Sequence, residues 1–248
     1  MNILSKSFQD LKGKWGLALL ITLIFIIINT GLSHFGMIAI VNTIGLNLNL
    51  DAQMPLAFEF TAQAMLYVLL FLLAYALISG AMTLGYMKTI LQNTTKKTLD
   101  ANMLISGFPS ILKVFAINIL TAIFVILWSL LLIIPGIIAA ISYSQSLFVL
   151  AENPTVSPLD AIRKSKAMMK GYKWKWFGMI LILLIFLLLV GAVISYLAKF
   201  VITQDMPYHQ LIIGNLPSLV IIPVAYTVLS NFYEGVKAES TKKASTKK

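Results

Sequence analysis

Residue types that commonly catalyse reactions are scarce in this sequence. It has no cysteine and only two histidines, His34 and His209. We find no spacing typical of a zinc protease, a phosphate-binding loop or a serine hydrolase, and no paired carboxylates placed for acid–base catalysis. The two histidines could bind a metal together, but polar groups at a membrane interface are the more common explanation. The sequence therefore predicts a non-enzymatic protein with no catalytic, cofactor or metal site.

The most polar stretch within an apolar segment is Ser-Tyr-Ser-Gln-Ser at residues 142–146. A helical period places Ser142, Gln145 and Ser146 on one face, and Asn118 in another apolar segment is a candidate partner. Such a face can line a polar cavity or a substrate path. It can also provide hydrogen bonds and close packing between helices, as small hydroxylated residues commonly do in membranes. We favour the packing interpretation.

A basic segment starts at Ser157 and lies between two long apolar runs. Ser157 suits a helix N-cap and Asp160 completes a capping-box pattern, while Pro158 suits the first helical position. Gly171 is a typical terminator, so we predict an amphipathic helix over 157–171. A basic helix of this kind, followed by tryptophans, is typical of an element on a negatively charged membrane surface. The candidate contacts with inner-leaflet lipid or a partner are Arg163, Lys164, Lys166, Lys170, Lys173, Lys175, Trp174 and Trp176.

Two short motifs mark turns and helix ends. Pro135-Gly136 interrupts an apolar run and predicts a tight hairpin, because an unbroken helix over 111–151 would be about 60 Å long, twice the ~30 Å bilayer core. Glu152-Asn153-Pro154 closes the second arm of that hairpin. We expect Glu152 to pair with Arg163 or a lysine of the basic helix. Such an exposed pair would orient the helix and contribute little energy.

The composition is that of a polytopic membrane protein. Hydrophobic residues make up 59% of the chain and charged residues 11%, with a mean hydropathy of +0.89. Soluble domains contain about 25% charged residues. We predict an all-α bundle in a single membrane domain, residues 1–233, followed by a disordered basic tail, 234–248. The six predicted spans are about 15–35, 61–87, 111–134, 137–151, 176–197 and 211–232.

Basic residues sort to one side of these spans. Eighteen of the nineteen fall in the predicted inner segments, and only Lys199 falls outside. Because cytoplasmic loops are enriched in lysine and arginine, both termini are predicted to be cytoplasmic, in a multi-pass protein of the bacterial cytoplasmic membrane. The same rule explains the net charge of +10 without nucleic acid as a partner. No acidic or basic residue lies mid-span, which disfavours an ion-coupled pump.

The sequence contains a weak internal repeat, with one copy in each half of the chain. Ser7-x4-Lys12-Gly13-Lys14-Trp15 is similar to Ser165-x4-Lys170-Gly171-Tyr172-Lys173-Trp174, with one inserted residue. In both copies an amphipathic helix precedes the motif and a predicted span follows it. The alternative is that any basic, tryptophan-flanked span entry has this pattern.

One family resemblance covers nearly the whole chain. Pro135-Gly136-Ile137, Glu152-Asn153-Pro154 and the Met169-Lys170-Gly171 region resemble the domain-of-unknown-function family 975, whose members are integral membrane proteins of Gram-positive bacteria. The last helix, with Pro223 and Phe232-Tyr233, is also similar. The resemblance implies a fold, and it brings no established activity or catalytic residues.

Two functions from different classes remain open. The first is envelope protection or self-immunity toward a membrane-active, bacteriocin-like peptide, or assistance to its export; anionic membrane lipids and such a peptide or an exporter protein would be the partners. The alternative is a transporter or permease component in which span four lines a substrate path. A membrane enzyme acting on lipid would need a convergent polar cluster, which the sequence does not reveal.

Overall fold

The computed structural model describes residues 3–43, 62–201 and 209–245. These residues form nine α-helices and one 3₁₀ helix. Parts of both predicted outer loops, at 44–61 and 202–208, and the last three residues of the predicted tail lie outside the described residues. The helices are α1 (Ile3–Leu11), α2 (Trp15–Thr43), α3 (Ala62–Lys96), the 3₁₀ helix (Ala101–Ser110), α4 (Ile111–Leu131), α5 (Ile133–Tyr143), α6 (Ser146–Glu152), α7 (Pro158–Met168), α8 (Lys173–Val201) and α9 (His209–Ser245).

Six stretches of the described chain are long and apolar enough to cross a membrane, which confirms the predicted helical membrane class. Four helices, α2, α3, α8 and α9, are longer than the predicted spans, whereas α4 ends at Leu131, three residues before the predicted end of span three. α2 extends to Thr43 and α3 to Lys96. The six stretches are Trp15–Val41, Met65–Lys96, Ala101–Leu131, Ile133–Glu152, Lys173–Ala198 and Gly214–Lys242.

The predicted hairpin is present, but the chain reverses at Leu132 and not at Pro135-Gly136. Leu132 is extended, with φ −163° and ψ 148°, between α4 and α5. Pro135 then occupies the first turn of α5, where its missing N–H removes no helical hydrogen bond. A Cβ on Gly136 would lie 1.9 Å from Ser129 Oγ, so glycine allows the two arms to pack closely.

The last helix differs from the predicted disordered tail. α9 continues as far as Ser245, so the prediction is wrong for residues 234–245. This part of α9 is tied to other helices: Lys237 forms an ion pair with Glu152, and Glu239 lies 3.9 Å from Lys175. These contacts, together with good helix formers such as Ala238, favour a helix over a solvated coil.

Most cationic residues of the described chain lie at one end of the bundle, which we call the basic end. Lys14 Nζ donates to Asn93 Oδ1 (2.7 Å), joining the start of α2 to the end of α3. Lys113 Nζ donates to the carbonyl of Pro154 (2.6 Å), joining the start of α4 to the segment after α6. The Lys175–Glu239 pair joins the start of α8 to the late part of α9.

The tightly packed core lies in the half of the bundle next to the basic end. Fully buried side chains occur near the start of α2 (Ala18, Ile21), late in α3 (Leu84, Ile90) and late in α9. In the opposite half, large apolar side chains are exposed: the hairpin tip, residues 130–134, is 68–77% exposed. Apolar surface of this kind requires lipid or another apolar partner.

Candidate functional site

α7 begins where the sequence predicts and ends earlier than predicted. Ser157 is extended at the N-cap, and its Oγ accepts a hydrogen bond from the Asp160 N–H (3.2 Å), with Pro158 at the first helical position. Gly171 has φ +89°, a left-handed conformation that glycine adopts at little cost. The regular helix ends at Met168, three residues before that glycine.

The apolar face of α7 packs against protein, and not against lipid. Ala161 and Ser165 are fully buried and Ile162 is 3% exposed, because this face lies on α4, α5 and α6. The predicted contact of α7 with a membrane surface therefore stays a prediction for its opposite face. Its opposite face stays exposed, with the Arg163 side chain 76% accessible.

The exposed face continues into α8 as a basic surface. Trp174 is 85% exposed beside these cations, Trp176 is half-buried, and Lys175 lies 5.3 Å from the ring centroid of Tyr172. Because α7 is fixed to the bundle on its other face, the basic surface has a defined position relative to the spans. We define it as Arg163, Lys164, Lys166, Lys170, Lys173, Trp174 and Lys175.

Ser165 connects α7 to a break in span four. The predicted span over 137–151 lies within one span-length apolar stretch, Ile133–Glu152, but its helix is interrupted, because α5 ends at Tyr143 and α6 begins at Ser146. Ser165 Oγ accepts from the Gln145 N–H (3.1 Å) and donates to the Ser142 carbonyl (2.8 Å). The serine thus pairs backbone groups that the break releases, which is how an interrupted helix remains stable among apolar side chains.

The polar stretch at this break is buried. Ser142, Gln145 and Ser146 are 1–2% exposed, and the serine hydroxyls donate to carbonyls of α5. Gln145 Nε2 donates to Ser144 Oγ (3.0 Å), while its Oε1 has no hydrogen-bond partner within the described part of the chain. Asn118 is exposed on α4, and no contact joins it to this cluster among the described residues. Of the four residues predicted to form a polar intramembrane face, Ser142, Gln145 and Ser146 are therefore buried together, and Asn118 is not part of the group.

Glu152 pairs with the last helix, where the sequence led us to expect the basic helix. Its carboxylate accepts from Tyr233 Oη (2.6 Å) and from Lys237 Nζ. Tyr233 also stacks on Phe148, with ring centroids 5.4 Å apart. Arg163 instead lies 3.5 Å from Asp160, one turn earlier in its own helix. Glu152 therefore joins α6 to α9 at the basic end.

Asn153 and Pro154 complete that helix end. Asn153 Oδ1 accepts from the Thr155 N–H (3.2 Å) and hydroxyl (2.6 Å), forming a local turn. The Pro154 carbonyl accepts from Lys113, which is at the start of α4. The motif has a structural role that needs no ligand.

A second polar cluster, which we did not predict, joins α1, α3 and α9. The Asp10 side chain is 4% exposed and accepts from Asn231 Nδ2 (2.9 Å) and from Lys97 Nζ. Asn231 also donates to Ser7 Oγ (3.0 Å), and Asn93 donates to the Asp10 carbonyl (3.0 Å). The sequence signal that could have indicated this cluster was Asp10 itself, because an acidic residue in an amphipathic helix is unusual in a chain with few charges.

The two copies of the proposed repeat have matching local geometry. Gly13 and Gly171 both have positive φ, +75° and +89°, directly before a span. Ser7 and Ser165 are both fully buried, and α2 and α8 both contain 29 residues. Each copy is thus an amphipathic helix, a left-handed glycine and a long span.

The described residues do not bring together three or more histidine, aspartate or glutamate side chains that could hold a metal ion. What they present is an exposed cationic surface and buried amides and hydroxyls, with Asp10 and Glu152 each paired with a lysine. This arrangement is suited to contacts with anions and to positioning helices.

One comparison with known proteins gives a match to a family model. Residues 129–240 match the family model described as "Protein of unknown function (DUF975)". The match covers the end of α4, α5 to α8 and most of α9, and therefore includes the broken span and the basic surface. No curated protein and no solved structure gives a significant match.

Proposed function

We propose that this protein, whose residues 129–240 belong to the DUF975 family, protects the bacterial cytoplasmic membrane against a membrane-active peptide without being an enzyme. In this proposal the basic end lies in the cytoplasm, both termini are inside, and the basic surface contacts anionic lipids of the inner leaflet. A bacteriocin-like peptide, or the exporter that carries it, is the proposed partner.

The observation that carries the proposal is the fixed basic surface with an exposed tryptophan. Each lysine or arginine near an anionic leaflet contributes about 1 kcal/mol of attraction, and tryptophan favours the headgroup region. The buried face of α7 holds these cations in one position, so lipid binding would anchor the basic end of the bundle. The exposed apolar side chains of the opposite half would then face a peptide helix inserted in the same membrane.

Deleting the gene is expected to increase sensitivity to cationic membrane-active peptides several-fold, measured as the minimal inhibitory concentration. Wild-type protein should restore resistance. A variant with Arg163, Lys164, Lys166 and Lys170 changed to glutamine should not, because its surface no longer attracts anionic lipid. Glutamine at Lys96 and Lys242 is the matched control, since these lysines are exposed outside the basic surface.

Unchanged sensitivity after deletion would refute the protective role. Full rescue by the neutralised variant, at equal abundance in the membrane, would show that protection does not depend on the basic surface.

A transporter or permease component is the second candidate, favoured by one observation. Span four is interrupted at Ser144 and Gln145, and the buried Gln145 Oε1 has no hydrogen-bond partner among the described residues. Interrupted helices with polar groups at the break are typical of substrate sites in transporters.

The substitution Gln145→Leu separates packing from transport. We expect it to change the unfolding temperature in detergent while leaving peptide protection intact, because the amide side chain forms one hydrogen bond among the described residues, to Ser144. Gln92→Leu is the control: Gln92 Oε1 also lacks a hydrogen-bond partner within the described ranges, but this residue lies outside the broken span. Loss of protection by the Gln145 variant alone, at an unchanged unfolding temperature, would favour the substrate-path function.

A further inference from the structure

A groove of about 640 Å³ lies between α1, α8 and α9 at the basic end. Its volume is typical of a site for a small molecule or a lipid chain. The walls are mainly apolar, with Ile3 from α1, Met179 and Ile182 from α8, and Phe232 and Val236 from α9. The groove is separate from the buried cluster at the break in span four.

Two glycines on facing helices create this space. Gly178 of α8 and Gly235 of α9 both line the groove, and a Cβ built on either would meet no atom within 4 Å. Since both residues are within regular helices, neither is required for an unusual backbone conformation. Their lack of side chains leaves room for an occupant.

The groove is polar at one end and apolar at the other. Lys6, Lys175 and Glu239 line the polar end, with Lys175 Nζ 3.9 Å from a Glu239 carboxylate oxygen. The three side chains carry a net charge of +1, which favours an anion. From Lys175 to Ile182 the groove follows α8 for seven residues, about 10 Å towards the middle of the span.

A buried amide in the wall lacks one partner. Asn231 is 4% exposed and lines the groove. Its Nδ2 donates to Ser7 and Asp10, but its Oδ1 accepts no hydrogen bond within the described part of the chain. An unpaired buried acceptor is costly, so a donor supplied by an occupant would be favourable.

We propose that this groove binds one anionic glycerophospholipid, with its phosphate between Lys6 and Lys175 and an acyl chain along Met179 and Ile182. The site deepens the lipid contact of the proposed function by naming a single bound molecule and its place. The cations suit the phosphate of such a lipid, and the glycine-lined, mainly apolar space suits its acyl chain.

The test measures lipid retained by the purified full-length protein, using native mass spectrometry in detergent with added phosphatidylglycerol. We expect about one lipid per chain. The double variant Lys6→Gln and Lys175→Gln should bind about thirtyfold more weakly, since two cations near the headgroup are lost. The double variant Gly178→Leu and Gly235→Leu should lose the bound lipid, because the new side chains fill the groove. Lys164→Gln with Lys166→Gln is the control and should retain it.

A second measurement distinguishes a lipid from free phosphate and guards against misfolding. Phosphatidylglycerol should raise the unfolding temperature of the wild type, whereas inorganic phosphate and zwitterionic phosphatidylcholine should not. Equal stabilisation by inorganic phosphate would overturn the lipid assignment. Retention by both groove variants, when their unfolding temperatures match the wild type, would overturn the site itself. Unchanged peptide sensitivity in cells would instead refute the protective role and leave this lipid site standing.

Discussion

Replacing Gly85 by alanine is expected to destabilise the protein by about 3 kcal/mol, at the upper end of the usual cost of overpacking. A Cβ at this position in α3 would lie 1.8 Å from the Leu104 carbonyl oxygen of the 3₁₀ helix. Backbone atoms cannot yield as a side chain can, so the 3₁₀ helix must move away from α3. That movement would also disturb the hydrogen bond from Lys88 Nζ to the Ser106 carbonyl (2.7 Å). The unfolding temperature in detergent measures the effect.

Two other glycines make this test specific. Gly107→Ala should be equally damaging, because its Cβ would lie 1.9 Å from the Ala81 carbonyl oxygen across the same contact. Gly16→Ala in α2 is the control: nothing lies within 4 Å of its Cβ, and alanine is favoured over glycine in a helix by about 0.5–1 kcal/mol. If Gly85→Ala were as stable as the wild type, the close contact between α3 and the 3₁₀ helix would be wrong.

Replacing Asp10 by alanine is expected to cost about 2 kcal/mol. The change removes a carboxylate that is almost fully buried and leaves Asn231 Nδ2 with Ser7 as its remaining partner. The loss of stability is smaller than for a fully buried ion pair, because the Lys97 side chain is 57% exposed and regains water. Asp10→Asn should be milder, since its amide oxygen can still accept from Asn231.

The control for this substitution is Asp160→Ala in α7. Asp160 is half exposed and its pair with Arg163 is at a wet surface, so the loss should stay below about 1 kcal/mol. Thermal unfolding of the three variants in one detergent gives the comparison. Equal stability of Asp10→Ala and Asp160→Ala would show that the α1–α9 cluster does not hold the bundle together.

Local signals in the sequence were sufficient for the membrane spans and for several helix ends. Ser157, Pro158 and Gly171 act through neighbouring backbone groups, so their effect depends on spacing along the chain and little else. The hairpin was predictable for the same reason, although Pro135 is accommodated inside the first turn of α5 and the reversal moves to Leu132. A proline restricts where a helix can begin, but it does not fix the residue at which the chain turns.

Contacts between distant segments were not predictable from the sequence. Glu152 is eleven residues from Arg163 in the chain, yet it pairs with Lys237, 85 residues away. That pairing depends on how α6 crosses α9, which no local pattern encodes. The disordered tail was wrong for the same reason: a polar, lysine-rich segment resembles a coil unless its partners on α6 and α8 are known. The predicted pairing of Asn118 with Gln145 was wrong because helical periodicity predicts which residues share a helix face. It does not predict which other helix packs against that face.

The uneven packing of the two halves determines how this molecule responds to its membrane. Hydrogen bonds and buried side chains fix the half next to the basic end, whereas the other half meets lipid with side chains such as Leu130 and Ile133, which are more than three-quarters exposed. A change in bilayer thickness acts on the hydrophobic length that the lipid must cover. Tilt and separation of the loosely packed helix ends would absorb such mismatch, while the basic surface and its groove keep their shape.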